Sequence, residues 1–115
     1  MLQKAMRLSP YPPAYYLIFL GMAYQGAESY QEALPVLQKL LDRAQNGEFS
    51  PLFANNMLAL NYALMGDYKK AREHWAEVLK LYPKASLEWI RSFQFFKDPE
   101  QWERLLDAYR AAGIK

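Results

Sequence analysis

At 115 residues, 52% hydrophobic and 23% charged, the chain has the length of one domain and composition enough to bury a core, which argues against disorder. A net charge of +2, from basic and acidic residues interspersed along the chain, leaves no one-signed face for nucleic acid. The lack of cysteine removes disulfides and thiolate chemistry, and no apolar run approaches the roughly 20 residues that span a bilayer.

The stretch after Met1 is amphipathic rather than a signal sequence, so the expected location is cytoplasmic. Leu2-x-x-Ala5 followed by Pro10 has the spacing of Trp75-x-x-Val78 followed by Pro83. The chain is therefore expected to open on the second helix of a helical pair whose first helix lies outside it. A native capping helix is the alternative.

Pro10-Tyr11-Pro12-Pro13 reads as a stiff corner that launches a helix near Pro13. In that helix Leu17-x-x-Leu20-Gly21-x-x-Tyr24 places a glycine where two helices must approach closely. Ser29-Tyr30-Gln31-Glu32 has the form of a capping box, with Glu32 reaching back to the Ser29 amide. Pro35 is expected to delete the hydrogen bond to the Gln31 carbonyl and bend the helix. Asn46-Gly47 ends it, with Gly47 in the left-handed cap.

Ser50-Pro51 starts the next helix as cap and first-turn proline. Asn55-x-x-Leu58-Ala59-x-x-Tyr62, Gly66-Asp67-Tyr68 and Ala71-x-x-x-Trp75-x-x-Val78 form the best-defined pair, with Asp67 capping its second helix. Gly21 and Ala59 mark equivalent positions 38 residues apart. Glycines 21, 26, 47 and 66 all read as packing or cap positions, and none builds a phosphate cradle. After Pro83, Trp89-x-x-Ser92-Phe93-x-x-Phe96 keeps the spacing with Phe93 in place of the small residue. Asp98-Pro99-Glu100-Gln101 is a helix start, and Leu105-x-x-x-Tyr109 then puts a large residue where alanine belongs.

These copies resemble the tetratricopeptide repeat along essentially the whole chain. The departures are Leu17 and Asn55 where tryptophan is usual, Leu37 for phenylalanine, and no proline closing the first pair. The resemblance implies an all-α, right-handed superhelix, an α-solenoid of about seven helices in antiparallel pairs. Its expected divisions are residues 1–10 as the second helix of a truncated leading repeat, 13–46 and 50–83 as repeats, and 86–113 as a degenerate C-terminal capping repeat. A narrower resemblance, carried by Pro10-Tyr11-Pro12-Pro13-Ala14-Tyr15-Tyr16 and by the tail from Phe96 to Leu106, is to the C-terminal repeat region of bacterial class III adenylate/guanylate cyclases. It implies a parent with a cyclase domain upstream.

No catalytic, cofactor or metal site is expected. His74, the sole histidine, has no second ligand or nucleophile beside it and reads as a packing or surface residue. Glu73 and Glu77 are spaced as a surface pair, within helical reach of Lys69 and Lys80. What remains is surface. By matching positions, the repeat family's concave groove would be lined by Tyr15, Ile18, Met22 and Gln25, then Phe53, Asn56, Leu60 and Leu64, then Leu87, Ile90, Arg91 and Gln94. Ile18, Met22 and Leu60 stand where a carboxylate-gripping groove needs lysine and asparagine, which disfavours that mode. The expected function is a protein-interaction or scaffolding module of a bacterial signalling protein, holding an amphipathic or apolar partner segment. The alternatives are a regulatory or oligomerisation tail of a cyclase, and a groove covered by the protein's own missing repeats or, through self-association, by a second copy.

Overall fold

A computed structural model describes residues 13–92 and 99–114. Among them are six helices and no strand: α1 (Ala14–Gly26), α2 (Tyr30–Gln45), α3 (Pro51–Met65), α4 (Tyr68–Leu81), α5 (Leu87–Arg91) and α6 (Pro99–Ala111). The all-α, stacked-pair architecture is the one the repeats imply. The helix expected over 1–10, the proline corner through Pro12, the residues Phe93 to Phe96 and the Asp98 cap lie outside the described residues.

Pairs form where the small residues stand. α1 packs on α2, α2 on α3, and α3 on α4. Gly21 is buried against Leu37, so tightly that a Cβ there would meet Leu37 Cδ2 at 2.8 Å. Ala33, Ala59 and Ala71 are fully buried at the other contacts, each letting backbones approach where a larger side chain would hold them apart. Leu17, Leu20, Val36, Leu40, Ala44 and Ala54 fill the first layer. Leu37, Leu58, Tyr62, Trp75 and Val78 begin a second that runs on through Ile90 to Leu105, Leu106 and Tyr109.

Four of the six helix ends share one geometry. Gly47, Gly66 and Gly113 take positive φ of 83°, 85° and 85°. After each, the next amide bonds a carbonyl five residues back (Glu48 to Arg43, Asp67 to Tyr62, Ile114 to Tyr109), as in a Schellman closure. α1 ends the same way, but its left-handed residue is Glu28 at φ 59°, and Ser29 N–H bonds the Tyr24 carbonyl at 2.8 Å. This corrects two expectations. Gly26 is an exposed residue in the last turn of α1, with nothing for a Cβ to strike, rather than a packing or closing glycine. The Ser29–Glu32 box does not form, because the Ser29 amide is already taken by the Tyr24 carbonyl and the Ser29 hydroxyl caps nothing.

Asp67 occupies the equivalent corner with a side chain one bond longer, and its carboxylate reaches Lys70 N–H at 3.3 Å. Ser50 stands at the start of α3 without a side-chain cap bond, with Pro51 in the first helical turn. Ser86, which the sequence reading passed over, caps α5 by accepting from Trp89 N–H at 3.2 Å. α2 runs through Pro35 as one helix, with the proline on the exposed face.

Candidate functional site

Side chains of α1, α3 and α6 converge on one cleft. Ile18, Met22 and Gln25 project from α1, and Phe53, Asn56, Met57 and Leu60 from α3. Phe49, Ile90 and the α6 residues Trp102, Leu105 and Tyr109 complete the wall of a cleft of about 260 Å³. Seven of the anticipated groove residues therefore share one wall: Ile18, Met22, Gln25, Phe53, Asn56, Leu60 and Ile90. Tyr15 is half exposed and packs its ring on Tyr16 and Phe19 instead. Leu64 and Leu87 are partly buried against the main core, Arg91 is exposed, and Gln94 lies outside the described residues.

α6 was expected to close the last pair, and the contacts place it across this face. It packs on α3. Near its middle Arg104 Nη1 meets Glu28 Oε1 at 3.1 Å, just past the end of α1. Farther along, the Tyr109 hydroxyl donates to Asn56 Oδ1 at 2.8 Å, and its ring stands edge-on to Trp75 at 5.9 Å between centroids. Just beyond the helix, Arg72 Nη1 donates to the Ala112 carbonyl at 3.4 Å. The helix thus reaches from the first repeat to the second over the α3 side chains between them. Burial holds the Tyr109 hydroxyl protonated, well above the usual tyrosine range.

Beneath the apolar wall lies an amide network. Gln25 Nε2 donates to Asn61 Oδ1 at 3.3 Å and to the Met57 carbonyl at 3.4 Å. Asn61, wholly buried, passes its own amide to the Tyr30 carbonyl at 3.0 Å and so ties α1, α2 and α3 at one point. On the other side of α3, Asn55 donates to the Pro51 carbonyl at 3.0 Å and accepts from His74 Nδ1–H at 3.0 Å. His74 stacks on Tyr62 at 5.5 Å. Its pKa is lowered, first by burial, while Glu73 and Glu77 pull the other way. Among the described residues no buried side-chain nitrogen or oxygen lacks a partner.

The histidine is therefore a packing residue with a fixed hydrogen bond. Among the described residues no group of three or more histidine, aspartate or glutamate side chains could hold a metal. No helix there is long and apolar enough to cross a membrane. The face offers shape and apolar area, which are the means of binding.

A family model for the tetratricopeptide repeat matches residues 13–84, which hold α1 to α4 and most of this wall. The chain belongs to the tetratricopeptide repeat family. No curated protein and no solved structure matches it. Membership agrees with a role in protein–protein contact and accounts for the recurrence of Gly21 and Ala59. The match ends before α5 and α6. Sequence reading did not place Phe49, Met57, Trp102, Leu105 or Tyr109 at the face. The signal available for α6 was its spacing Trp102-x-x-Leu105-x-x-x-Tyr109, which marks one apolar side without saying what it covers.

Proposed function

We propose that the chain is a protein-interaction module that holds a partner segment on the concave face of α1 and α3. One observation carries this reading: an amphipathic helix, α6, already rests on that face, with Trp102, Leu105 and Tyr109 turned toward it. A wall of Ile18, Met22, Phe53 and Leu60 suits the apolar side of a helix or an extended apolar segment. The affinity expected of a segment held by so few anchors is on the order of micromolar. The test is selection of peptides from a random displayed library against the full chain, with contacts mapped by side-chain NMR. Apolar peptides that shift the Ile18, Met22 and Leu60 methyl signals support the reading. Peptides that bind only the outer faces of α2 and α4 reject it.

A second reading keeps the same face within a cyclase. The tail that carries the narrower likeness, Phe96 to Leu106, includes the start of α6, the helix over the groove. The module would then be a regulatory tail of a cytoplasmic bacterial adenylate or guanylate cyclase. In such a parent, deletion of residues 1–115 should alter nucleotide-cyclising activity, and unchanged activity leaves scaffolding alone.

A further inference from the structure

We infer that Asn46-Gly47, at the end of α2, is a site of spontaneous deamidation whose rate is set by how often that helix end opens. The inference is independent of the concave-face reading and holds whether or not the cleft takes a partner.

Of the asparagines in the chain, Asn46 alone is exposed and followed by glycine. Asn55, Asn56 and Asn61 are buried within α3, and each side chain is engaged. Asn55 meets the Pro51 carbonyl and His74, Asn56 meets Tyr109, and Asn61 meets Gln25 and the Tyr30 carbonyl. Asn46 instead stands just past the last turn of α2. Its neighbour Gly47 is open to solvent, and a Cβ there would find nothing within 4 Å. The chemistry needs that room, because the nucleophile is the Gly47 backbone nitrogen and a side chain beside it would crowd its approach.

Hydroxide takes the proton of the Gly47 amide, and the nitrogen attacks Cγ of Asn46. A C–N bond forms, the side-chain nitrogen takes back a proton and leaves as ammonia, and a cyclic succinimide remains. Water then opens the ring. Addition at Cγ restores the ordinary backbone with aspartate in place of Asn46. Addition at the backbone carbonyl carbon leaves the chain running through the side chain, as isoaspartate. Water is consumed and ammonia released in equal amount, and nothing is oxidised or reduced.

The closed helix end holds this reaction back. Asn46 has ψ 7°, which turns the Gly47 nitrogen toward the residue's own nitrogen and away from its side chain. Gly47 N–H also bonds the Ala44 carbonyl at 3.0 Å, and Glu48 N–H bonds the Arg43 carbonyl at 2.9 Å. The rotation about Cα–C that brings nucleophile to Cγ breaks both. An exposed helix end closed only by main-chain bonds opens far more readily than the core, so attack waits on local opening and not on unfolding of the domain.

Both products disturb the end of α2. Aspartate places a negative charge where the last carbonyls already gather partial negative charge, and one turn beyond Asp42. Isoaspartate adds a methylene to the backbone inside the closure, so the bond from Glu48 to Arg43 loses its register. Phe49, which lines the cleft, follows in the same connection between α2 and α3.

The test is peptide mapping by mass spectrometry while the full chain stands in warm, mildly alkaline buffer, with an isoaspartate-specific methyltransferase to detect the rearranged product. Parallel samples are the same chain in urea and Gly47→Ala in urea, where folding of the variant is not in question. In the folded chain Asn46 should convert while Asn55, Asn56 and Asn61 do not, faster as the pH rises. Conversion should be on the order of tenfold slower than in urea, with a matching hydrogen-exchange protection of the Gly47 amide, as for a lightly closed helix end. In urea, Gly47→Ala should convert several-fold more slowly than the unaltered chain. Asn46→Asp should lower the melting temperature, and protein aged to isoaspartate should lower it further.

Asn46 left intact in the folded chain after urea has converted it fully overturns the inference. So do equal rates in the folded and urea-unfolded chains, and conversion of the buried asparagines as fast as Asn46. A melting temperature unmoved by both Asn46→Asp and ageing overturns the stated effect on the end of α2.

Discussion

The Tyr109 hydroxyl donates to Oδ1 of Asn56 at 2.8 Å, a buried hydrogen bond between residues 53 apart in sequence. It locks α6 to α3 inside an otherwise apolar contact, where a polar group without a partner is costly. Tyr109→Phe leaves the Asn56 oxygen buried and unpaired. The expected loss is about 1–3 kcal/mol in urea unfolding. Adding Asn56→Leu removes the orphaned group and should restore part of that loss, a non-additivity that a double-mutant cycle measures. Strict additivity would place the bond outside the protein's stability.

The close approach of helices at the small positions is tested by enlarging them. Ala59 is fully buried, and a Cβ on Gly21 would already meet Leu37 Cδ2 at 2.8 Å. Ala59→Leu and Gly21→Leu should each overpack a helix contact and cost about 1–3 kcal/mol in thermal or urea unfolding. Neutral results would put the wrong faces inside.

Glu28 holds a left-handed conformation at φ 59°, where its counterparts at the ends of α2, α3 and α6 are glycines. That geometry costs an L-residue roughly 1–2 kcal/mol, and the exposed pair with Arg104 returns only about 0–1 kcal/mol. Glu28→Gly should therefore raise the melting temperature even though it deletes an ion pair. Arg104→Ala, which loses the pair without relieving the backbone, should lower it slightly or leave it unchanged.

His74 gives the fold a pH dependence whose sign follows from its environment. Burial lowers its pKa below the ordinary value of 6.5, against the opposing pull of Glu73 and Glu77. The unfolded chain then binds a proton more readily than the folded one. Stability from this group is complete above about pH 6.5 and falls as the pH drops through the window between the unfolded and the lowered folded value. Melting temperatures measured from pH 7.5 to 5 should decline in the native chain. The decline should be shallower in His74→Gln, whose amide can still donate to Asn55 Oδ1. Equal slopes would remove His74 from the acid response.

The repeat itself was written in local spacing. Gly21 and Ala59 recur at one place in successive copies, prolines and glycines bound the helices, and α2 and α4 each carry one apolar stripe while α1 and α3 are apolar nearly all round. Periodicity of that kind dictates α1 to α4 and the way they pair, because a stripe too wide for its partner forces stacking. Ile18, Met22, Phe53, Asn56 and Leu60 could be named before any coordinates only because the resemblance to the repeat family implies which positions line its groove. The details of the corners were less legible. Ser29 and Glu32 have the right types for a capping box, but one amide cannot serve two acceptors, and the α1 closure takes it first.

What the sequence determined by itself is therefore the helical array and its small-residue seams, both set by contacts within a few turns of chain. What only the tertiary structure decided is what covers the face: α6, pinned by Glu28 and Asn56 from residues far away in sequence. An amphipathic pattern says that one side must be buried but carries no address for its partner. The same holds for the amide network through Gln25 and Asn61, whose members read as ordinary polar residues until three helices meet around them. Long-range packing chose those contacts, so the site was visible in the sequence as a surface and in the structure as one already occupied.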